Sequence, residues 1–298
     1  MKSNSINTRR VHLASTLLAL IFIAAGAFAQ TTPAPSPSPV PQAQPAPERQ
    51  FFKNILRDQR AIWTSPFHLS RDDAKWLLPL GLSTAALVAT DRYTAGALDE
   101  NQSRLNVSRD LSYPGSIYGA GGVAAAFYLA GHAAHNARAR ETGLLGAEAL
   151  IDSGIVSVAL KSASQRPRPR VDDASGEFYD RGNSFPSGHA LSAWSLATVI
   201  ANEYRDRRLV QFTAYGLASV VSIARFTGRN HFLSDALVGS AVGYGIGRYV
   251  YRTHHAATLG TGGGGQAFLR ERSKLWPSFA PLYNRHERDY GLALAWGF

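Results

Sequence analysis

The sequence predicts an all-α protein, a helical bundle of about six core helices with a short C-terminal β-hairpin-like tail. Three observations lead to this prediction. Hydrophobic residues make up 45% of the 298 residues and charged residues only 17%, so the chain can bury a large core. The apolar runs are mostly twelve to sixteen residues long and end at polar or charged residues, as in buried helices. Alternation of large and small residues, the strand pattern, occurs only at Tyr290–Phe298.

Start and stop signals bound several of these helices. Ser70 and Asp73 form the Ser-x-x-acid pattern that starts a helix, and Pro167 and Pro169 stop another. The helix predicted at Tyr113–Ala134 contains no Asp, Glu, Lys or Arg, and its glycines and alanines let helices approach closely. The six predicted helices contain Trp76–Thr90, Tyr113–Ala134, Gly143–Lys161, His189–Glu203, Leu209–Arg225 and His231–Tyr251.

The N-terminal residues have the composition of a signal peptide. Lys2, Arg9 and Arg10 precede an apolar run, and Ala27-Phe28-Ala29 supplies the small-x-small pattern of a cleavage site. The sequence therefore predicts an exported protein of the periplasm or cell envelope, either free or associated with a membrane. A retained N-terminal membrane anchor is the alternative.

A proline-rich spacer follows the predicted signal peptide. Seven of the eighteen residues from Thr31 to Glu48 are proline, which favours an extended polyproline II segment. The predicted regions are a signal peptide (1–29), a Pro-rich linker (30–50), a helical domain (51–251) and a Gly-containing loop with the β-like tail (252–298).

Charge and cysteine content limit the classes of function. The chain has no cysteine, which excludes disulfides, thiolate metal sites and cysteine nucleophiles. Lys and Arg outnumber Asp and Glu by 31 to 21, and the net charge of +10 favours anionic partners. His254 and His255 are predicted to lie in a loop rather than in a metal site, because no further ligands follow at zinc-like spacing.

The apolar runs are short for membrane-spanning helices. A span needs about 20 mostly apolar residues, and of the predicted helices only Tyr113–Ala134 has such an uncharged run. Its glycines make it weakly hydrophobic. The sequence therefore favours a domain that is soluble or associated with a membrane surface over one with several spans.

Three segments combine cations, histidines and an acid. The first, Lys161–Pro169, ends a helix in a cationic, proline-stiffened turn. The second, Ser184–His189, is a tight turn that delivers a histidine to the start of a helix. The third, Arg225–Asp235, holds an arginine, a histidine and, four residues later, an aspartate. Each segment is weak alone, and their order and spacing make the combination specific.

The third segment has the spacing of an oriented nucleophile. If His231 opens a helix, Asp235 lies one turn further on the same face, within reach of one imidazole nitrogen. The carboxylate can then hold the ring in one tautomer and leave the other nitrogen free to attack. It also stabilises the cation that this attack produces.

The other charged residues suit a phosphate. Arg168 and Arg225 can each bind two oxygens as planar forks, and Lys161 acts as a point charge. Ser187 and the amide of Gly188 add donors at a helix N-terminus.

His189 lies at a turn and can protonate the leaving group, a contribution of about 10²–10⁴ in rate. Because three cations fill the role of Mg²⁺, the sequence predicts no metal ion and no cofactor.

This pattern resembles the superfamily of type 2 phosphatidic-acid phosphatases, bacterial class A acid phosphatases and vanadium haloperoxidases. The shared pattern is Lys-x6-Arg-Pro, Pro-Ser-Gly-His and Arg-x5-His-x3-Asp. The resemblance implies phosphate binding by Lys161, Arg168, Ser187, Gly188 and Arg225, general acid catalysis by His189, and a phosphohistidine at His231 oriented by Asp235.

Two positions complicate the match. The superfamily usually has serine before the arginine of the third segment, and here that residue is Ala224. We therefore expect Arg225 to be less well ordered. Arg166 is a second arginine before a proline in the first segment. Only Arg168 satisfies the spacing from Lys161, so Arg166 is predicted to lie at the rim of the site.

The sequence predicts a metal-independent phosphatase of the cell envelope. Its expected substrates are phosphomonoesters, including lipid phosphates or diphosphates such as phosphatidic acid or a polyprenyl diphosphate. One alternative is a vanadate-dependent haloperoxidase, since vanadate adopts the geometry of a transferring phosphate. Another is a non-catalytic phosphate-binding envelope protein. The expected partners are the phosphate ester and a membrane surface, with no nucleic acid.

Overall fold

Eight α-helices form the described part of the chain between residues 47 and 258. The structure, a computed structural model, describes residues 47–171, 175–258, 278–284 and 289–295. The all-α prediction is confirmed. The helices are α1 (Pro47–Thr64), α2 (Arg71–Gly96), α3 (Gln102–Ser112), α4 (Ile117–Ala133), α5 (Ala137–Ser164), α6 (Gly188–Glu203), α7 (Arg208–Thr227) and α8 (Leu233–Thr258). The predicted signal peptide and residues 30–46 of the predicted linker lie outside the described residues.

Two of these helices, α1 and α3, are not among the six predicted ones. α1 begins at Pro47, inside the predicted linker. α3 occupies a polar stretch in which few side chains reach the core. Its apolar pattern is therefore too sparse to show a helical period. The buried residues of α3 are Leu105, Ser108 and Ser112.

The start of α2 follows the predicted capping pattern. The Oγ of Ser70 accepts from the N–H of Asp73 at 3.2 Å, and the carboxylate of Asp73 accepts from the N–H of Ser70 at 2.8 Å. These bonds satisfy two groups that a helix terminus leaves unpaired. α2 continues beyond Asp91 to Gly96. The predicted stop at Asp91 is wrong because this carboxylate is buried rather than solvated.

The end of α8 corrects the predicted loop at 252–258. The helix continues to Thr258, so His254 and His255 are helical. Both imidazoles contact acidic side chains of other helices. Nε2 of His254 lies 2.8 Å from Oδ2 of Asp58 in α1, and Nδ1 of His255 lies 3.1 Å from Oε1 of Glu141 in α5. The last turn of α8 therefore makes contacts with other helices, and the apolar pattern of the sequence does not reveal them.

α6 lies at the centre of the bundle, against α5, α7 and α8. Two clusters of buried apolar side chains pack around it. One includes Phe127 of α4 and Ile200 of α6, and the other includes Leu191 of α6 and Val250 of α8.

Glycines bring α8 close to α6. A Cβ at Gly243 would lie 2.3 Å from the carbonyl oxygen of Leu191, and a Cβ at Gly247 would lie 2.3 Å from that of Ser195. Only a hydrogen fits at these two positions. This close approach fixes the start of α8 beside the start of α6, where the second and third predicted segments lie.

Several helices expose large apolar side chains. α5 and α7 are long and apolar enough to cross a membrane, and 50% and 33% of their apolar windows are buried inside the protein. Tyr113–Ala134, the run predicted to be long enough, begins as a 3₁₀ turn, and its α-helix has only 17 residues. The exposed apolar side chains include Phe67, Trp76, Leu82, Ile117, Leu209 and Phe212.

The C-terminal residues form a separate compact unit with a β-hairpin arrangement. Strands β1 (Ser278–Asn284) and β2 (Asp289–Ala295) pair in antiparallel register, with Tyr283 opposite Tyr290. This pairing corresponds to the predicted hairpin-like tail. The residues that join the strands lie outside the described ranges.

The α6–α8 contact predicts opposite effects for two glycines of one helix. Gly243→Ala should lower the free energy of unfolding by about 1–3 kcal/mol, because the new methyl group overlaps the Leu191 carbonyl. Gly245→Ala should raise it by up to about 1 kcal/mol, because nothing lies within 4 Å and alanine favours helix. Urea unfolding of both variants measures the difference. Equal stabilities would contradict the close approach.

Candidate active site

Backbone hydrogen bonds hold the first two predicted segments side by side. α5 ends at Ser164, and Gln165 adopts a left-handed conformation with φ of 45°. The N–H of Gly182 then donates to the carbonyl of Gln165, and the N–H of Ser184 donates to the carbonyl of Arg166, both at 2.7 Å. A Cβ at Gly182 would lie 2.1 Å from that Arg166 carbonyl oxygen, so only glycine allows this pairing.

The third segment joins the second at the start of α6. Ser187 caps α6 by accepting from the N–H of Ala190. The N–H of Ser187 donates to the carbonyl of Asp235 at 2.9 Å. A Cβ at Gly188 would lie 3.7 Å from Cε of Lys161, which places the start of α6 against the end of α5. The structure thus brings all three segments together.

Arg166 lies at the centre of this junction and is 1% exposed. Its NH1 group donates to Oδ1 of Asp235 and to Oγ of Ser234, both at 2.8 Å. Its NH2 group donates to Oδ2 of Asp91 at 3.0 Å. The guanidinium also lies 4.0 Å from the ring centroid of Phe232. Two carboxylates therefore neutralise this cation, and none of its donors points to an open pocket.

The prediction that Arg166 lies at the rim is wrong. The spacing from Lys161 predicts different roles for Arg166 and Arg168, and the two side chains do have different partners. It carries no information about Asp91, which precedes Arg166 by 75 residues in the chain.

His231 is buried, and its ring has one nitrogen fixed by an acceptor. Nδ1 lies 2.8 Å from the carbonyl oxygen of Ser184. A carbonyl oxygen only accepts, so Nδ1 carries the proton and Nε2 keeps its lone pair. Oδ2 of Asp235, the predicted orienting group, lies further away, at 3.7 Å from Nδ1. Asp235 acts largely through Ser184, whose Oγ donates to the same Oδ2 at 2.5 Å.

Asp235 stays ionised in this buried position. Burial alone would raise the pKa of its carboxyl, but the hydrogen bonds and charges of His231, Arg166 and Ser184 hold the pKa below its ordinary value. The N–H of Phe232 also donates to Oδ2 at 2.9 Å. A fixed carboxylate beside the imidazole stabilises a positive charge on that ring.

Three cations act electrostatically on His189, and two of them, Lys161 and Arg225, also act on His231. Nζ of Lys161 donates to the carbonyl of Asn183 at 2.5 Å, and Nε of Arg168 donates to Oδ1 of the same residue at 3.0 Å. Within the described residues, Lys161, Arg168 and Arg225 form no ion pair with a carboxylate. The pocket therefore holds an excess of positive charge that suits an anion rather than a metal ion. Sets of metal-type donors occur instead around His254 and His255.

Arg225 receives its supporting hydroxyl from another helix. Its NH1 group donates to Oγ of Ser112, at the end of α3, at 3.3 Å. Ser112 in turn donates to the carbonyl of Arg109 at 3.0 Å. Its oxygen is thus free to accept. The hydroxyl that Ala224 lacks is thereby replaced, which differs from the expected loss of support. The Nε of Arg225 is buried and has no hydrogen-bond partner in the described part of the chain.

Burial and mutual repulsion lower the pKa values of the basic groups. Burial, with a contribution from Arg168, lowers the pKa of Lys161 to about 8. Burial lowers the pKa of His231 to about 4, although Asp235 acts in the opposite direction. Burial and the charges of Arg225, His231, Arg168 and Lys161 lower the pKa of His189 to about 3. His189 therefore lies within electrostatic range of all four groups.

The structure adds site residues that the sequence reasoning did not select. Asn183 and Ser184 lie just before Phe185 and the Pro-Ser-Gly-His motif, and this proximity is a signal that could have identified them. Asp91 and Ser112 carry no such signal, because they lie in α2 and α3, far from the three segments in sequence. Only tertiary structure reveals their contacts.

Comparison with known proteins agrees with the geometry. Residues 142–259, which include all three segments, match the sequence profile of the PAP2 superfamily. This part of the chain, about two fifths of its length, is therefore similar to PAP2 domains. The predicted resemblance is confirmed at this level. A curated relative, the lipid A 1-phosphatase of Porphyromonas gingivalis, is 39% identical over 70 residues, which are 23% of this chain. These residues span only 16% of that relative. No solved structure matches the chain.

The two arginines of the first PAP2 segment should have separable roles. Arg166→Met should lower the free energy of unfolding by about 3–5 kcal/mol, because it leaves the buried carboxylates of Asp91 and Asp235 without a counter-charge. Arg168→Met should lower it by at most about 1 kcal/mol, because Arg168 has no ion pair in the described chain. Urea unfolding followed by circular dichroism measures both values. An Arg166→Met protein as stable as the unmodified one would contradict the central role of this residue.

Proposed function

We propose that this PAP2 protein is a phosphatase of lipid phosphates in the cell envelope, and that it works through a phosphohistidine at His231. The observation that supports this proposal most strongly is the combination of three unpaired cations with an imidazole whose Nε2 is unprotonated. Such a site attracts a phosphate and offers a nucleophile to it, and the phosphate needs no metal ion.

Substrate binding would use the donors around the pocket. Lys161, Arg168 and Arg225 neutralise the phosphate oxygens, and the planar guanidinium groups can each bind two of them. Ser187 and the N–H of Gly188 contribute at the start of α6, where the first N–H groups of a helix lack intrahelical partners. Arg166 has a separate structural role, because Asp91 and Asp235 already occupy its donors.

The first chemical step transfers the phosphoryl group to the protein. Nε2 of His231 forms a bond to phosphorus while the bond between phosphorus and the ester oxygen breaks. Asp235 stabilises the positive charge that develops on the ring. The leaving alkoxide takes a proton from His189. The low pKa of His189 fits this role. A phosphate dianion bound among the cations raises the pKa of His189, so that His189 takes up a proton from solution when the substrate binds.

The second step releases phosphate. Neutral His189 takes a proton from water, and the water oxygen forms a bond to phosphorus as the phosphorus–nitrogen bond breaks. His231 returns to its neutral state with the proton on Nδ1, and His189 regains the proton that it donated in the first step. No oxidant, reductant or metal ion enters this balance.

Three observations favour a lipid phosphate over a soluble ester. An apolar groove of about 1090 Å³ runs along α4 and α5 and includes Ser192 of α6, one turn after His189. It could accept acyl chains while the head group occupies the cationic pocket. Large apolar side chains on the protein surface fit association with a membrane. The relative from Porphyromonas gingivalis is named for a lipid substrate.

Variants of His231 and His189 should differ in their effects on esters with poor and good leaving groups. His231→Ala should abolish phosphate release from every ester, because it removes the nucleophile. His189→Gln should lower kcat by about 10²–10⁴ on phosphatidic acid in mixed micelles. Its effect on the first step with p-nitrophenyl phosphate, measured as the pre-steady-state release of p-nitrophenolate, should be much smaller, because p-nitrophenolate leaves without a proton. Phosphate release by the purified full chain measures both variants.

Other outcomes of that experiment contradict the proposal. Release that His231→Ala leaves unchanged would rule out the phosphohistidine. In His189→Gln, equal losses on both esters in the first step, the release of the leaving group, would rule out proton transfer to the leaving group. Inhibition of release by vanadate is expected, and vanadate-dependent halide oxidation without phosphate release would show a haloperoxidase instead.

Lys161 should make anion binding depend on pH. Its pKa of about 8 means that the side chain is a cation below that pH and neutral above it. Sulfate stays a dianion over this range, so its inhibition constant should rise by about ten- to hundredfold as the pH increases through 8. Lys161→Arg keeps its charge, and the rise should move to a higher pH. An unchanged pH profile in Lys161→Arg would show that another group controls binding.

A further inference from the structure

A second cluster of buried charged groups lies between α1, α5 and α8. In α5 and α8, its residues are far along the helix from those of the candidate active site. Its members are Asp58 of α1, Glu148 and Asp152 of α5, and His254 of α8, and each is at most 4% exposed. Glu148 precedes Lys161 by 13 residues, which is about 20 Å along α5. The proposed phosphatase reaction uses none of these four residues.

Distances within the cluster suit ligands of one ion. Nε2 of His254 lies 3.0 Å and 2.8 Å from the two carboxylate oxygens of Asp58, and 3.6 Å from Oε1 of Glu148. One ligand atom from each of these residues lies within 4.8 Å of the others. Ligand atoms bound to one ion at about 2.0–2.2 Å are about 3–4 Å apart. Small side-chain adjustments would therefore complete a coordination shell.

Three buried oxygen atoms of this region have no hydrogen-bond partner among the described residues. They are Oδ1 of Asn54, Oε1 of Glu148 and Oδ2 of Asp152. Oε1 of Glu148 faces the imidazole of His254. A buried oxygen without a donor is costly, and carboxylate oxygens are more so than neutral ones. Three such atoms around one carboxylate cluster indicate a missing electrophilic partner.

The remaining contacts do not supply the missing charge. The hydroxyl of Tyr249 donates to Oδ1 of Asp58 at 3.2 Å, and Nε2 of Gln59 donates to Oδ1 of Asp152 at 2.8 Å. Both donors are neutral. The exposed Arg57 influences His254 only through its charge. With all three carboxyl groups ionised, the cluster carries an excess of two negative charges when the imidazole is protonated, or of three when it is neutral. Burial opposes this ionisation and raises the pKa values of Glu148 and Asp152 to about 7.

The neighbouring cluster around His255 has a different balance of negative and positive charge. Nδ1 of His255 lies 3.1 Å from Oε1 of Glu141 and 3.3 Å from Oε2 of Glu203, and the imidazole is 28% exposed. Hydrogen bonds to Glu141 and Glu203 raise the pKa of His255 to about 9. The imidazole is therefore protonated near neutral pH and forms ion pairs with both carboxylates, although Oε2 of Glu203 has no hydrogen-bond partner among the described residues. This cluster has two carboxylates instead of three and a half-buried imidazole, and it provides the control.

We propose that Asp58, Glu148 and His254, with Asp152 beside Asp58, bind one divalent transition-metal ion, of the manganese, iron(II) or zinc class, which ties α1 to α5 and α8. The donor set of carboxylates with one imidazole suits this class, whereas calcium and magnesium prefer oxygen ligands alone. Asn54 Oδ1 is available as a further ligand. The ion stabilises the fold and takes no part in the transfer of phosphate.

Metal content tests the proposal directly. The full chain, incubated with manganese, iron(II) or zinc and then desalted, should retain about one ion per chain by elemental analysis. Glu148→Gln, with Asp152→Asn as a second variant, should retain less than about a tenth of that amount. Glu141→Gln, in the neighbouring cluster, should retain the full amount. Equal metal content in all of these proteins, or none in the unmodified chain, would overturn the proposal.

Thermal unfolding gives a second readout that does not depend on activity. Addition of the retained metal to metal-free protein should raise the Tm of the unmodified chain and of Glu141→Gln in a concentration-dependent way. It should leave the Tm of Glu148→Gln unchanged. If Glu148→Gln fails to fold, the titration of the unmodified chain still decides. A Tm that no metal shifts, together with a Glu148→Gln protein at least as stable as the unmodified one, would contradict the proposal. This outcome would show that the carboxyl groups share protons and bind no metal ion.

Discussion

The buried guanidinium of Arg166 is the interaction on which the rest of the candidate site depends. It joins the turn after α5 to Asp91 in α2 and to Asp235 in α8. Asp235 then accepts from Ser184, and the carbonyl of Ser184 fixes the ring of His231. A buried charge that loses one partner is strongly destabilising. His231, the proposed nucleophile, is therefore oriented by a chain of contacts that begins at Arg166, which has no proposed role in binding phosphate.

The same arrangement divides the cations of the site into two groups. Arg166 is fully compensated, whereas Lys161, Arg168 and Arg225 have no carboxylate partner in the described residues. Their charges, together with burial, keep the pKa of His189 low. A bound dianion reverses this effect because it compensates the cations. In the proposed mechanism, substrate binding is thereby coupled to protonation of His189, the proposed general acid.

Sequence patterns predicted what is encoded locally and missed what is encoded by tertiary contact. The capping box of Ser70 and the order of the three segments follow from short spacings, so both could be read directly. The burial of Arg166 depends on Asp91, 75 residues earlier, and no spacing within the motif contains that information. The last turn of α8 was missed for the same reason, since His254 pairs with Asp58 of α1. The polar α3 has too few apolar residues to show a period, although its Ser112 supports Arg225.

α5 carries two charged groups of opposite sign, Lys161 near its end and Glu148 further towards its start. Near the active-site end, Lys161 of α5 belongs to a pocket with excess positive charge. Further along, Glu148 belongs to a cluster with excess negative charge. Neither excess is balanced within the protein, and charges are buried only when something compensates them. A phosphate at one site and a divalent cation at the other would satisfy both requirements with opposite ions. Because the two sites are about 20 Å apart along α5, removal of the cation should lower stability without changing the protonation of His189. This separation distinguishes a structural ion from a catalytic one.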